Sequence, residues 1–183
     1  MKNKVWYVVA VLWLFIAWSV TPTKGDSMLP NVPSGSLLWV TPFTQIERDD
    51  LVAFCHDGKP FAGACVGGES LVKRVVATTG QAVAFEHGVL YVDGLPEERQ
   101  LTSTMLTALP YVVERKELFV LGDNRAVSID SRNFGPITMQ QVFGEAFILT
   151  TANVGWLFRT LQVAVLLLLF GVFGRKIYSH ISR

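Results

Sequence analysis

Ser27, in Gly25-Asp26-Ser27-Met28-Leu29-Pro30, lies seven residues beyond the end of an uncharged apolar run. A serine hydroxyl is a weak nucleophile and needs a base to take its proton. Lys73, in Leu71-Val72-Lys73-Arg74-Val75-Val76-Ala77, has surroundings that suit that task. Burial disfavours an ammonium, lowers its pKa and leaves an amine able to accept a proton. The three histidines serve less well: His56 sits in a turn beside Cys55, His87 at a hairpin tip and His180 near the C-terminus. A Ser-His-Asp arrangement is therefore not expected. A third cluster runs Gly122-Asp123-Asn124-Arg125-Ala126-Val127-Ser128-Ile129-Asp130-Ser131-Arg132. Serine, lysine and a polar Gly/Asn-rich turn, in that order behind an apolar run, point to a membrane-bound Ser/Lys hydrolase.

The elements that must position these groups read as β. Alternation along Leu71 to Thr78 puts Lys73, Val75 and Ala77 on one face and Arg74 and Val76 on the other. Lys73 can then face an apolar site while Arg74 pairs elsewhere. Spacing alone favours a plainer account, an ordinary strand with two solvated bases. Ser70-Leu71-Val72-Lys73 also matches an S-x-x-K pattern. That pattern needs a helix start and companion S-D-N and K-T-G elements, whereas this segment is β-branched and the companions are absent.

Further strands are expected over Ser36 to Thr41, Leu51 to Cys55, Gln81 to Glu86, Val89 to Asp93, Glu117 to Leu121 and Gln141 to Thr150. His87-Gly88 fits a two-residue hairpin. Glu117 to Leu121 delivers Gly122-Asp123-Asn124 as a turn. Pro96 to Pro110, polar and rich in Thr and Ser, reads as a surface loop. No repeat, low-complexity segment or long amphipathic helix stands out in the central portion. The expected fold is mostly β, an antiparallel sheet domain tethered at its ends.

The 183 residues suit one domain of moderate size. Mean hydropathy is +0.37, high for a soluble domain, and the excess sits at the two ends. Val5 to Val20 is uncharged and holds three tryptophans. With no Ala-x-Ala-like exit before Thr21-Pro22, it reads as a retained anchor rather than a cleavable signal. Leu161 to Gly174 has one polar residue, Gln162. Adding Val154 to Thr160 gives spanning length but includes Arg159, which would snorkel from near one end. A span takes ~20 helical residues, so both runs are on the short side.

Ten of the 16 Lys/Arg lie between Thr21 and Ala152 with all 15 acidic residues, leaving that portion at net −5. The remaining basic residues, other than Arg159, flank the apolar runs: Lys2, Lys4, Arg175, Lys176 and Arg183. Positive-inside asymmetry puts both termini in the cytoplasm and the middle outside. The organisation expected is residues 1–20 as cytoplasmic start and transmembrane anchor, 21–152 as an extracytoplasmic β-rich domain, 153–174 as a second transmembrane helix and 175–183 as a basic cytoplasmic tail. An acidic middle argues against nucleic-acid binding. An oxidising compartment permits a Cys55–Cys65 disulfide, which would close a small loop around His56-Asp57-Gly58-Lys59-Pro60. Zinc would need four ligands, and only His56 is nearby, so no metal site or cofactor is expected.

Three segments resemble those of the type I signal peptidases, membrane-bound Ser/Lys leader peptidases. Ser27-Met28-Leu29-Pro30 resembles the family's nucleophile motif and Lys73-Arg74-Val75-Val76 its general-base motif. Gly122-Asp123-Asn124-Arg125, continuing through Ser128, Asp130, Ser131, Arg132 and Gly135, resembles its third and most specific signature. Arg48-Asp49-Asp50-Leu51-Val52-Ala53-Phe54 resembles a weaker intervening segment. The likeness runs from the first apolar run to about Leu149.

The resemblance implies roles. Ser27 would attack the scissile carbonyl and Lys73, neutral, would take its proton and return it to the leaving amine. The Ser27 N–H would help bind the oxyanion, Ser128 would hydrogen-bond and orient Lys73, and Asp130 with Arg132 would hold the turn of Gly122, Asp123 and Asn124 near the dyad. Met28, Leu29 and Pro30 are pocket residues by the same analogy. Gly25 cannot donate a side-chain hydrogen bond to the oxyanion, Asn31 stands where the family often has threonine, and Ala126-Val127 replaces a more polar pair.

The function implied is removal of signal peptides, with small residues at −1 and −3, from exported preproteins at the bacterial inner membrane. The active domain would lie on the periplasmic or extracytoplasmic side. The partners implied are preproteins, membrane lipids and secretion or conjugation machinery. A narrower version is a peptidase dedicated to pilin maturation in conjugation. The alternatives are a self-cleaving Ser/Lys repressor, which would need a DNA-binding module and no anchors, and a non-catalytic tethered β domain, which would be expected to lose Ser27 or Lys73.

Overall fold

The computed structural model describes residues 20–42, 45–61, 64–97 and 107–150, together with helical positions at Leu157, Thr160, Leu161, Val163 and Ala164. Apart from Val20 and those positions, both apolar runs and the basic tail lie outside the described residues. Among the described residues no helix is long and apolar enough to cross a membrane.

Thirteen strands and one short helix are described. Seven strands make the main sheet: β1 (Val20–Pro22), β2 (Leu37–Thr41), β3 (Leu51–His56), β6 (Glu69–Thr78), β11 (Glu117–Leu121), β12 (Ile137–Thr138) and β13 (Val142–Thr150). Their order across the sheet is β1-β2-β13-β3-β6-β11-β12, and every pairing is antiparallel. A second sheet joins β7 (Ala82–Glu86), β8 (Val89–Val92), β9 (Leu95–Pro96) and β10 (Thr107–Val112) in the order β10-β7-β8-β9. The mostly β, antiparallel expectation holds.

Apolar alternation builds the core. Met28, Val32, Leu38, Leu51, Ala53 and Ala146 cluster beneath β2, β3 and β13. Val52, Phe54, Val75, Leu118, Val120 and Ile137 form a second cluster along β3, β6 and β11. Val76, Ala77, Val83, Phe85, Leu90, Val92, Phe119 and Leu121 join the two sheets. His87 and Gly88 both adopt positive φ, the conformation that a two-residue hairpin between twisted strands requires.

Three expectations change. Pro96 to Pro110 is not wholly a loop, because β10 starts at Thr107 and pairs with β7. Its register shifts between Ala108 and Tyr111, and such an irregularity tolerates Pro110 inside a strand. Ala77 does not share a face with Val75. Ala77 pairs with Phe119 but Val75 with Val120, so Val76 is an extra residue, a β-bulge. Val76 and Ala77 therefore both enter the cluster between the sheets. Finally, the segment after Cys55 is a small hairpin, β4 (Lys59–Phe61) and β5 (Ala64–Val66), rather than only a loop. A Cys55–Cys65 disulfide ties it to β3.

Candidate active site

Lys73 lies in the middle of β6, which is paired on one side with β3 and on the other with β11. Its neighbour across β3 is Val52, and the side chains around it leave Lys73 only 2 % exposed. The alternative of a solvated base is excluded by that burial. Burial is the main cause that lowers the Lys73 pKa; Asp130 and Asp123 oppose it and Arg132 adds to it. Lys73 Nζ meets Ser27 Oγ at 2.7 Å, across 46 residues of sequence. The Ser70 of the S-x-x-K pattern pairs with Cys55 in the β3–β6 ladder and lies on a strand, not at a helix start.

Ser27 sits in the turn between β1 and β2. Leu29 N–H donates to Asp26 O at 3.2 Å and Val32 N–H to Met28 O at 2.9 Å, which winds residues 26–32 into a tight coil. Of the three residues expected to shape a pocket, Met28 is 5 % exposed and packs in the core cluster with Val32, Leu38 and Leu51. The coil turns Met28 toward the sheet. Leu29 is half-buried and Pro30 exposed.

The turn after β11 meets the Ser27 coil. Asn124 N–H donates to Ser27 O at 3.0 Å, and Asn124 Nδ2 donates to Asp26 O at 3.1 Å. Gly122 is required at its place. A side chain there would run into Ser27 O and Ser128 Oγ, so only glycine lets the two segments approach this closely. Asp123 accepts two bonds from Arg74, Nε at 2.8 Å and NH2 at 2.7 Å, and Arg74 NH1 donates to Asp49 O at 2.6 Å. Adjacent residues of β6 thus reach both partners of the site, Lys73 to Ser27 and Arg74 to Asp123.

Asp130 caps the helix α1 (Ser131–Phe134), with Asn133 completing a capping box. It also accepts from Gly122 N–H at 3.0 Å and forms a two-pronged pair with Arg132 at 2.8 and 2.9 Å. Arg132 NH2 further donates to Ser128 O at 3.1 Å. The expected hydrogen bond from Ser128 to Lys73 is not made. Ser128 Oγ is buried against Gly122 and has no hydrogen-bond partner among the described residues.

Sequence reasoning did not anticipate three contacts. These are the Arg74–Asp123 pair, the bond from Asn31 Nδ2 to Asp123 Oδ2 at 2.7 Å, and the buried pair of Arg125 with Glu97 at 2.9 Å. The strand alternation that set Arg74 opposite Lys73 was the available signal for the first. Nothing local marked the partner of Asn31 or of Arg125.

Residues 4–151 match a family model described as signal peptidase, peptidase S26. Signal peptidase I of Bacillus caldolyticus is 34% identical over 158 residues, covering 75% of this chain and 81% of that protein. Probable signal peptidase I-1 of Synechocystis sp. is 32% identical over 145 residues, covering 76% and 74%. Signal peptidase IB of Staphylococcus aureus is 31% identical over 165 residues, covering 75% and 82%. Among solved structures, a signal peptidase I from Enterococcus faecalis V583 aligns with 25% identity and a TM-score of 0.42, over 58% of this chain and 98% of that one. The family model and the relatives in sequence define a serine endopeptidase. The chain belongs to the signal peptidase S26 family, and its activity is the removal of signal peptides.

Proposed function

We propose that the chain cleaves preproteins with a Ser27/Lys73 dyad, held outside a bacterial inner membrane by its N-terminal apolar run. The observation that carries this reading is the 2.7 Å approach of a buried Lys73 amine to Ser27 Oγ. With Lys73 neutral, the Ser27 hydroxyl donates to the Nζ lone pair. As Oγ attacks the scissile carbonyl, its proton passes to Nζ. The new oxyanion accepts from the Ser27 N–H, whose peptide group is held through Asp26 O by Asn124 Nδ2. Collapse expels the new N-terminal amine, which takes the proton from Nζ and leaves an acyl-enzyme on Oγ. Lys73 then deprotonates water, which attacks the ester; as the C–Oγ bond breaks, Nζ returns the proton to Ser27 Oγ and the cleaved leader leaves with a free carboxylate end. Asp130 and Arg132 act on this chemistry through the backbone of Gly122 and Ser128.

Placement outside the membrane is supported by the charge asymmetry and by the start of β1 at Val20, the last residue of the apolar run. Small residues at −1 and −3 of the leader are the substrate feature this reading carries. Ser27→Ala and Lys73→Ala should each abolish cleavage of such a preprotein in detergent, followed by mass spectrometry of both products. Full activity in either variant sinks the dyad.

A further inference from the structure

Asn31 is four residues past the nucleophile and exposed, yet its side-chain amide donates to a carboxylate that is 1 % exposed. That carboxylate, Asp123, is already held by Arg74, the neighbour of Lys73. The acceptor oxygen, Oδ2, is shared between Asn31 Nδ2 and Arg74 NH2, each at 2.7 Å. Asp123 therefore joins the strand that carries the base to the coil that carries the nucleophile.

The coil is gripped at two points by consecutive residues. Asn124 N–H holds Ser27 O at its start, and Asp123 holds Asn31 at its end. Asn124 Nδ2 also holds Asp26 O, and Met28 and Val32 seat the coil on the core, so the Asp123–Asn31 bond adds a tie at the exposed far end, directed at the strand that carries Lys73. That tie trims the remaining rotation of the coil, and with it the direction of Ser27 Oγ and N–H relative to Lys73. Hydrogen bonds to a charged acceptor are stronger than neutral ones, and small misplacement of reacting groups costs rate steeply.

We propose that Asn31 is a positioning residue for this peptidase: through Asp123 it sets the orientation of the Ser27 coil against Lys73. The proposal rests on the Ser27/Lys73 reading. It locates a rate-determining contact on a side chain that touches neither substrate nor the reacting atoms.

The test is steady-state cleavage of one preprotein by the full chain in detergent, with Ser27→Ala run alongside. Asn31→Ala removes the donor. Asn31→Asp keeps the shape but sets a carboxylate against Asp123. Asn31→Thr keeps a donor. Because Asn31 is exposed, all three should fold with unchanged thermal midpoints. The first two should lower kcat about ten- to a hundredfold with KM within about twofold, and Asn31→Thr should recover most of the loss. A merely structural role would not yield that kcat-against-KM split with rescue by a donor. An Asn31→Ala enzyme with unchanged kcat, or a loss carried by KM, overturns the positioning role while an inactive Ser27→Ala leaves the dyad standing. An active Ser27→Ala overturns both.

Discussion

A lysine kept from water is a better proton acceptor at moderate pH and a poorer contributor to stability. Because burial lowers the Lys73 pKa, the neutral amine is populated at lower pH than in an exposed lysine. Activity should therefore rise with pH, with a midpoint below the ordinary lysine range; a flat kcat/KM profile through the alkaline range would count against a lysine base. The linkage has the matching sign. Between the folded and unfolded pKa values the unfolded chain binds the extra proton, so stability rises with pH across that window. Gly122→Ala should cut activity by about a hundredfold or more, since the new methyl displaces the Ser27 carbonyl and with it the hydroxyl; assays beside a thermal melt will separate the loss of rate from unfolding. Ser27, Lys73 and the Gly122 turn were legible because each lies in a short segment with its own chemistry. The grip of Asp123 on Arg74 and Asn31 was not, because those partners lie 49 and 92 residues away and only sheet closure brings them together.

At the scale of elements, period-two apolar patterns located the main strands to within a residue or two. What they missed has physical causes. A proline and a run of Thr and Ser hid β10, and the bulge at Val76 broke the alternation that strand reading assumes. The bulge also lets one strand serve two cores, with Val75 packed beside β3 and Val76 and Ala77 against the second sheet. The Cys55–Cys65 link secures the β4–β5 hairpin to β3. Replacing both cysteines by serine should lower unfolding free energy by about 2–3 kcal/mol, as expected for a short closed loop. Urea denaturation under oxidising and reducing conditions checks this: the wild type should fall to the variant's midpoint when reduced.

For the whole molecule, topology at the membrane and order within the sheet both matter. The charge pattern sets the acidic middle apart from the basic ends. A reporter fused after Arg183 should read as cytoplasmic, in an alkaline phosphatase and fluorescent protein comparison; a periplasmic signal would mean that 153–174 does not span. The sheet order β1-β2-β13-β3-β6-β11-β12 places β13, the last of the described strands, between the strands flanking the nucleophile and those bearing the base. Before β13 arrives, β2 and β3 have no common neighbour. During synthesis the two halves of the machinery thus wait for residues 142–150 to insert between them. Topology thus makes the site contingent on a distant strand: Ser27 and Lys73 can both be present in the chain while the sheet that joins their supporting strands is still one strand short.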